Sequence, residues 1–186
     1  NASAVIGMTL ITPSLPMIRY DFKLSADITQ FILTFYLIFV SLGQLICGTL
    51  SDRYGRRPVL LIGSILFAVG GVLAMYAANI NMLLFFRILQ AAGAAACLSM
   101  ARVIVNDSYE KNEAAETLSV LTAVMVIFPN IALILGGAIA ETIGWRGSMG
   151  VIFIFGCFLF FGTLFLVPES NSQKTIKLEY KKISNS

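Results

Sequence analysis

One carboxylate stands among three guanidiniums in Gly48-Thr-Leu-Ser-Asp52-Arg53-Tyr-Gly55-Arg56-Arg57. Residues 28–51 before it and 58–86 after it carry no charge at all. Groups placed this way can form and exchange ion pairs, and the chain offers no histidine and no intramembrane carboxylate pair for covalent work. A second polar pair is Arg87 with Gln90, three residues apart and hence on one face of a helix. The chain has no histidine, and Cys47, Cys97 and Cys157 lie far apart in apolar stretches. That spacing suits neither a metal site nor a disulfide framework, and it leaves the thiols as small packing groups. No catalytic residue set and no cofactor or metal is expected. The chemistry on offer is electrostatic switching, so an enzyme is the least favoured class.

The elements that position these groups must lie in lipid. Of 186 residues, 58% are hydrophobic and 12% charged, with mean hydropathy +0.85. A soluble domain carries about 25% charged residues. Uncharged runs cover 1–18, 28–51, 58–86, 117–140 and 147–168. A helix needs roughly 20 residues to cross a hydrocarbon core of about 30 Å. The pattern predicts an all-α membrane protein with six transmembrane helices at 2–18, 27–50, 58–78, 81–105, 115–140 and 146–167. Residues 1–168 form the bundle, and 169–186 form a polar, Lys-rich cytoplasmic linker or tail. The chain opens at Asn1 without an initiator Met or basic leader, so its true amino terminus is expected upstream.

Basic residues give the orientation. Arg53, Arg56, Arg57, Arg102, Lys111 and the four lysines from Lys174 to Lys182 fall on one side, against Arg19, Lys23 and Arg146 on the other. The basic side is cytoplasmic, which puts both termini there. The net charge of +3 is therefore a topology signal with no nucleic-acid partner implied.

Within this frame Asp52 emerges at the negative end of a helix dipole, where a carboxylate is disfavoured and needs a cationic partner or another helix's amino-terminal end. Gly48, one turn earlier, admits close approach of a helix. Gly55 permits the reversal, and Pro58 suits a first helical turn. Arg87 lies about a turn and a half inside the fourth span, where a charge must face protein, water or an interface. In the fifth span Pro129 removes a helical hydrogen bond beside Asn130, and Gly136 and Gly137 favour tight packing. The sixth span is Phe-rich and almost free of polar atoms, which suits an outer, lipid-facing helix better than an aromatic substrate box.

These residues resemble the major facilitator superfamily. The segment from Gly48 to Arg57 matches its loop motif G-x-L-x-D-R-x-G-R-R/K at every fixed position. Arg87-Ile-Leu-Gln90-Ala-Ala-Gly93-Ala-Ala resembles its fourth-helix motif R-x-x-Q-G-x-G-A-A, with Ala91 in place of Gly. Ala101-Arg102-Val-Ile-Val-Asn106-Asp107 resembles A-R-A-I-I-R-D of the bicyclomycin-resistance branch of drug:proton antiporters. Pro129-Asn130-Ile-Ala132-Leu133 through Gly136-Gly137 is similar to P-x-x-A-P-x-x-G-G, with Leu133 replacing the second proline. Gly144-Trp145-Arg146 resembles G-W-R before the sixth helix. Leu10-Ile-Thr-Pro13-Ser-Leu-Pro16 resembles D-M-Y-L-P-A-L-P, but Thr9 stands where that branch has an acid.

The resemblance, over residues 5–168, implies the amino-terminal bundle of a major facilitator fold, built as two inverted three-helix repeats. It implies efflux of a small amphipathic substrate by proton antiport across a bacterial inner membrane, with a carboxy-terminal six-helix half as partner. It makes Gly48, Asp52, Arg53, Gly55, Arg56 and Arg57 a conformational-switch loop. Arg87, Gln90, Arg102, Asp107 and Thr9 become cavity or coupling candidates. A threonine cannot carry a proton, so Thr9 leaves the coupling ion open. The competing reading is a truncated or half-size six-helix protein with a structural or regulatory role and no transport of its own.

Overall fold

The computed structural model describes residues 2–108 and 111–167, except for the side chains at 2, 107, 108, 111–115 and 166. The predicted tail, 169–186, lies outside the described residues. Every element among the described residues is helical: α1 (Ala2–Thr9), a 3-10 turn (Thr12–Ser14), α2 (Leu15–Asp21), α3 (Ala26–Tyr54), α4 (Arg56–Met75), α5 (Ile80–Ser108), α6 (Lys111–Ile143) and α7 (Trp145–Leu166). The last five are each long and apolar enough to cross a membrane. Their bounds agree with the predicted spans to within four residues.

The first span is where expectation and structure part. Residues 2–18 were expected as one helix, but the chain breaks between Thr9 and Leu15. Pro13 and Pro16 have no N–H to give to Thr9 and Thr12. The chain tightens instead through a bond from the Ser14 amide to the Ile11 carbonyl at 2.9 Å. The Thr9 and Thr12 hydroxyls turn back onto the Val5 and Met8 carbonyls at 2.8 and 2.9 Å, which keeps them off the lipid.

Helix ends follow local chemistry. Ser25, extended at φ −72 and ψ 161, accepts the Ile28 amide and starts α3, with Asp27 in the favourable first turn. Asn79 accepts the Met82 amide at 2.9 Å and starts α5. Gly55, at φ +104, ends α3 and begins α4 in a single residue, a conformation that side chains resist.

Helix α5 is the post of the bundle, packed along both α3 and α4, and α4 packs in turn on α7. Lipid offers no hydrophobic drive for helix association, so close backbone approach decides which helices meet. Ala91, Ala94, Ala95 and Ala96 of α5 are buried. A Cβ on Gly70 of α4 would lie 2.7 Å from the Gln90 amide nitrogen. Helix α6 is the opposite case, with one narrow buried stripe of small residues, Ala132, Gly136 and Ala140. On α7, Met149 and Ile152 enter the core, while Ile154, Phe158, Phe161 and Phe165 point outward as expected of a lipid-facing helix.

Candidate functional site

Two polar constellations are held by this frame. The first is the α3–α4 turn. Asp52 sits in the last turn of α3 and Arg56 opens α4, so each charge lies at the helix end that disfavours it. Arg56 Nη1 resolves both by donating to Asp52 Oδ1 at 2.6 Å and to Ser51 Oγ at 2.6 Å. The Ser51 hydroxyl is itself anchored on the Gly48 carbonyl at 2.8 Å. The Asp52 side chain is 67% exposed, which holds such a pair to about 0–1 kcal/mol. It is an easily exchanged contact.

Arg57 reaches elsewhere. Its Nη2 donates to the Leu164 carbonyl at 2.8 Å, across the bundle in the last turn of α7. The carbonyls of a last turn lack helical partners, so a cation there satisfies both hydrogen bonding and the dipole. Arg53 stays exposed, its guanidinium 5.4 Å from the Tyr54 ring centre. Gly48 has open space where a Cβ would stand, so none of the described helices packs against it.

The second constellation lies in the core. Arg87 and Gln90 are both fully buried, and Arg87 Nη1 donates to Gln90 Oε1. The guanidinium also lies over the Tyr36 ring of α3, 4.2 Å from its centre. Tyr36 in turn donates its hydroxyl to the Ala4 carbonyl at 3.2 Å. Four helices, α1, α3, α4 and α5, thus meet around one buried cation. The sequence reading placed Arg87 against an open cavity, and in this bundle it is enclosed. Cavities of about 820 Å³ beside Arg19 and Gln30, and about 560 Å³ between Cys47 and Ile62, have neither Arg87 nor Gln90 in their walls.

The other candidates are scattered. Thr9 turns its hydroxyl to its own helix. Arg102 is exposed, with Nη2 4.0 Å from Met125 Sδ of α6. The Asp107 side chain lies outside the described residues. Asn130 donates to the Val126 carbonyl at 2.9 Å beside Pro129. Gly136 meets the break in the first span, where an added Cβ would be 2.7 Å from the Leu10 carbonyl oxygen; Gly137 has nothing near it.

Sequence reasoning missed two contacts. Tyr36 was not singled out, although it is a tyrosine at mid-span, away from the interface where that residue usually sits. At the end of the bundle opposite Asp52, Trp145 donates to Asp21 Oδ2 at 2.7 Å and Arg146 lies 3.6 Å from the same oxygen. Phe22 packs on Trp145 at 5.7 Å, and Ser14 pairs with Ser148 at 3.0 Å. Together they fasten α2 to α7.

The Major Facilitator Superfamily profile matches residues 1–184. The chain belongs to that superfamily. It is accordingly a multi-pass integral membrane protein and a transporter-family member, not an enzyme. A chloramphenicol resistance protein of Pseudomonas aeruginosa is 35% identical over 144 residues, covering 77% of this chain and 34% of the relative. An uncharacterized transporter of Rickettsia felis is 31% identical over 170 residues, 88% of this chain and 40% of that one. A bicyclomycin resistance protein homolog of Haemophilus influenzae is 28% identical, with 90% and 42% covered. The chain thus spans about two-fifths of the length of such relatives. Among solved structures, a bacterial homolog of the human lysosomal transporter Spinster, in an inward-facing conformation, superimposes with TM-score 0.77 at 22% identity, covering 91% of this chain and 41% of that one. That similarity confirms the fold.

Proposed function

We propose that this chain is the amino-terminal six-helix half of a secondary transporter that exports small amphipathic, drug-like molecules by proton antiport. The carrying observation is the α3–α4 turn, where Asp52 and Arg56 hold each other at 2.6 Å although each sits at the wrong end of its helix. A pair so placed is readily exchanged for better partners, and a helix amino terminus brought up by a second six-helix half would suit Asp52. The unoccupied space beside Gly48 supports an approach on that face. Resistance proteins for chloramphenicol and bicyclomycin among the relatives support the substrate class. In this reading the basic turn at 53–57 and both termini are cytoplasmic, in a bacterial inner membrane. With Thr9 in place of an acid, the titrating group lies in the partner half.

The test is efflux from energised everted vesicles carrying the chain together with its second half, beside a surface-abundance control. Uptake that collapses with a protonophore supports proton antiport. Uptake indifferent to the proton gradient removes it, and no movement of any amphipathic probe leaves the non-transporting reading.

A further inference from the structure

Arg87 is a permanent cation, since a guanidinium does not deprotonate in proteins. It is fully buried in the part of the bundle that lies in lipid. An uncompensated charge at such depth costs several kcal/mol. Its two partners, the Gln90 carbonyl oxygen and the Tyr36 ring, are both neutral. They also leave donors over: Arg87 Nε, Arg87 Nη2 and Gln90 Nε2 are buried with no hydrogen-bond acceptor. Nε2 shares its amide with Oε1, which receives Arg87 Nη1, so it lies beside the guanidinium.

No acid among the described residues answers them. The sequence has no Asp or Glu between Asp52 and Asp107, and none between Glu141 and Glu169. Asp107 is twenty residues further along α5, about 30 Å away at 1.5 Å per residue. Asp21, Asp27, Asp52, Glu116 and Glu141 are all exposed. Helix α4 packs on Gln90 with its backbone: an added Cβ on Gly70 would be 2.7 Å from the Gln90 backbone nitrogen, and one on Gly71 would be 3.4 Å from Nε2.

We propose that Arg87 and Gln90 form an internal binding site for one monovalent anion, a halide-sized ion or a carboxylate group. Buried N–H donors without acceptors, beside one positive charge, suit a single negative charge. A divalent anion would leave a net charge in the same low dielectric. The anion is drawn either from the aqueous phase or from the carboxylate of a transported molecule. The proposal does not depend on the direction or coupling of transport.

The test is thermal unfolding of the purified full chain in lipid nanodiscs, in sodium sulfate against chloride, bromide or formate at equal ionic strength. A saturable rise of a few degrees in the anion series is expected. A rise with halides identifies an inorganic ion, and a rise with formate alone identifies a carboxylate ligand. Arg87→Met and Gln90→Leu should remove the dependence. If Arg87→Met fails to fold, Gln90→Glu decides: it places a carboxylate on the guanidinium, and should raise the midpoint in sulfate and abolish the halide effect. Identical wild-type midpoints in all four salts overturn the proposal, as does a halide effect that persists undiminished in Gln90→Glu.

Discussion

Arg57 in the first turn of α4 holds the Leu164 carbonyl in the last turn of α7 at 2.8 Å. The bond joins residues 107 apart in sequence, and it occupies an acceptor that α7 itself leaves open. Arg57→Ala should therefore lower stability rather than transport alone. A hydrogen bond to a charged group is worth about 1.5–3 kcal/mol, and Arg57→Lys should recover part of it. Reversible unfolding in mixed micelles reads the difference; equal midpoints for wild type and Arg57→Ala would show the contact to be incidental.

Asp52→Asn should behave differently. Its pair with Arg56 is too exposed to carry much stability, so folding and surface abundance should stay near wild type. Efflux should fall several-fold to about a hundredfold, the range of a coupling worth 1–3 kcal/mol. Wild-type efflux with unchanged conformer populations would remove Asp52 from the switch.

The adjacent glycines of α6 offer an internal control. Gly136→Ala drives a methyl to 2.7 Å from the Leu10 carbonyl oxygen, a backbone atom that cannot step aside cheaply. Overpacking of this kind costs about 1–3 kcal/mol. Gly137→Ala meets nothing within 4 Å and should change stability by less than about 1 kcal/mol, with helix propensity in its favour. Matched unfolding curves of the two variants test the contrast, and equal losses would contradict the packing described for α6.

Trp145 is the sole tryptophan, buried and bonded to Asp21. Its emission should be blue-shifted and should move to the red in Asp21→Ala, as the end of α2 is released. Trp145→Phe keeps an aromatic surface for Phe22 and should lose about 1.5–3 kcal/mol with the charge-assisted bond. An emission maximum unaltered by Asp21→Ala would show that the two helices are held by other contacts.

Orientation is open to direct labelling. In a background lacking Cys47, Cys97 and Cys157, Tyr54→Cys should react only with permeant maleimides in whole cells, as the arginine-rich turn requires. Reaction with an impermeant reagent would invert the topology.

Five of the spans were legible because lipid forbids charge, and the gaps between Asp27 and Asp52 or Glu116 and Glu141 declare themselves without any packing knowledge. The reversal at Gly55 was legible for the same kind of local reason, a residue that alone adopts φ +104 comfortably. The break in the first span was signalled by Pro13 and Pro16, yet hydropathy averages over such a break and reads one helix. Arg87 was recognised as anomalous, but its enclosure was not, because a period-3.6 pattern assigns a face and cannot say what covers it. Tyr36, held by Ala4, covers it from another helix, and Asp21 meets Trp145 across 124 residues; contacts at that separation leave no trace in local spacing.

The interrupted first span has a mechanical consequence. Its carboxy-terminal segment is bonded to α7 through the Ser14–Ser148 and Asp21–Trp145 contacts, while its amino-terminal segment is keyed to α6 at Leu10 and to α3 through Tyr36 and Ala4. Between them lie residues with no continuous ladder of helical hydrogen bonds to stiffen them. A rigid rod would carry any twist applied at one membrane face undiminished to the other. An interrupted span lacks that stiffness, so a twist at one end need not reach the other undiminished.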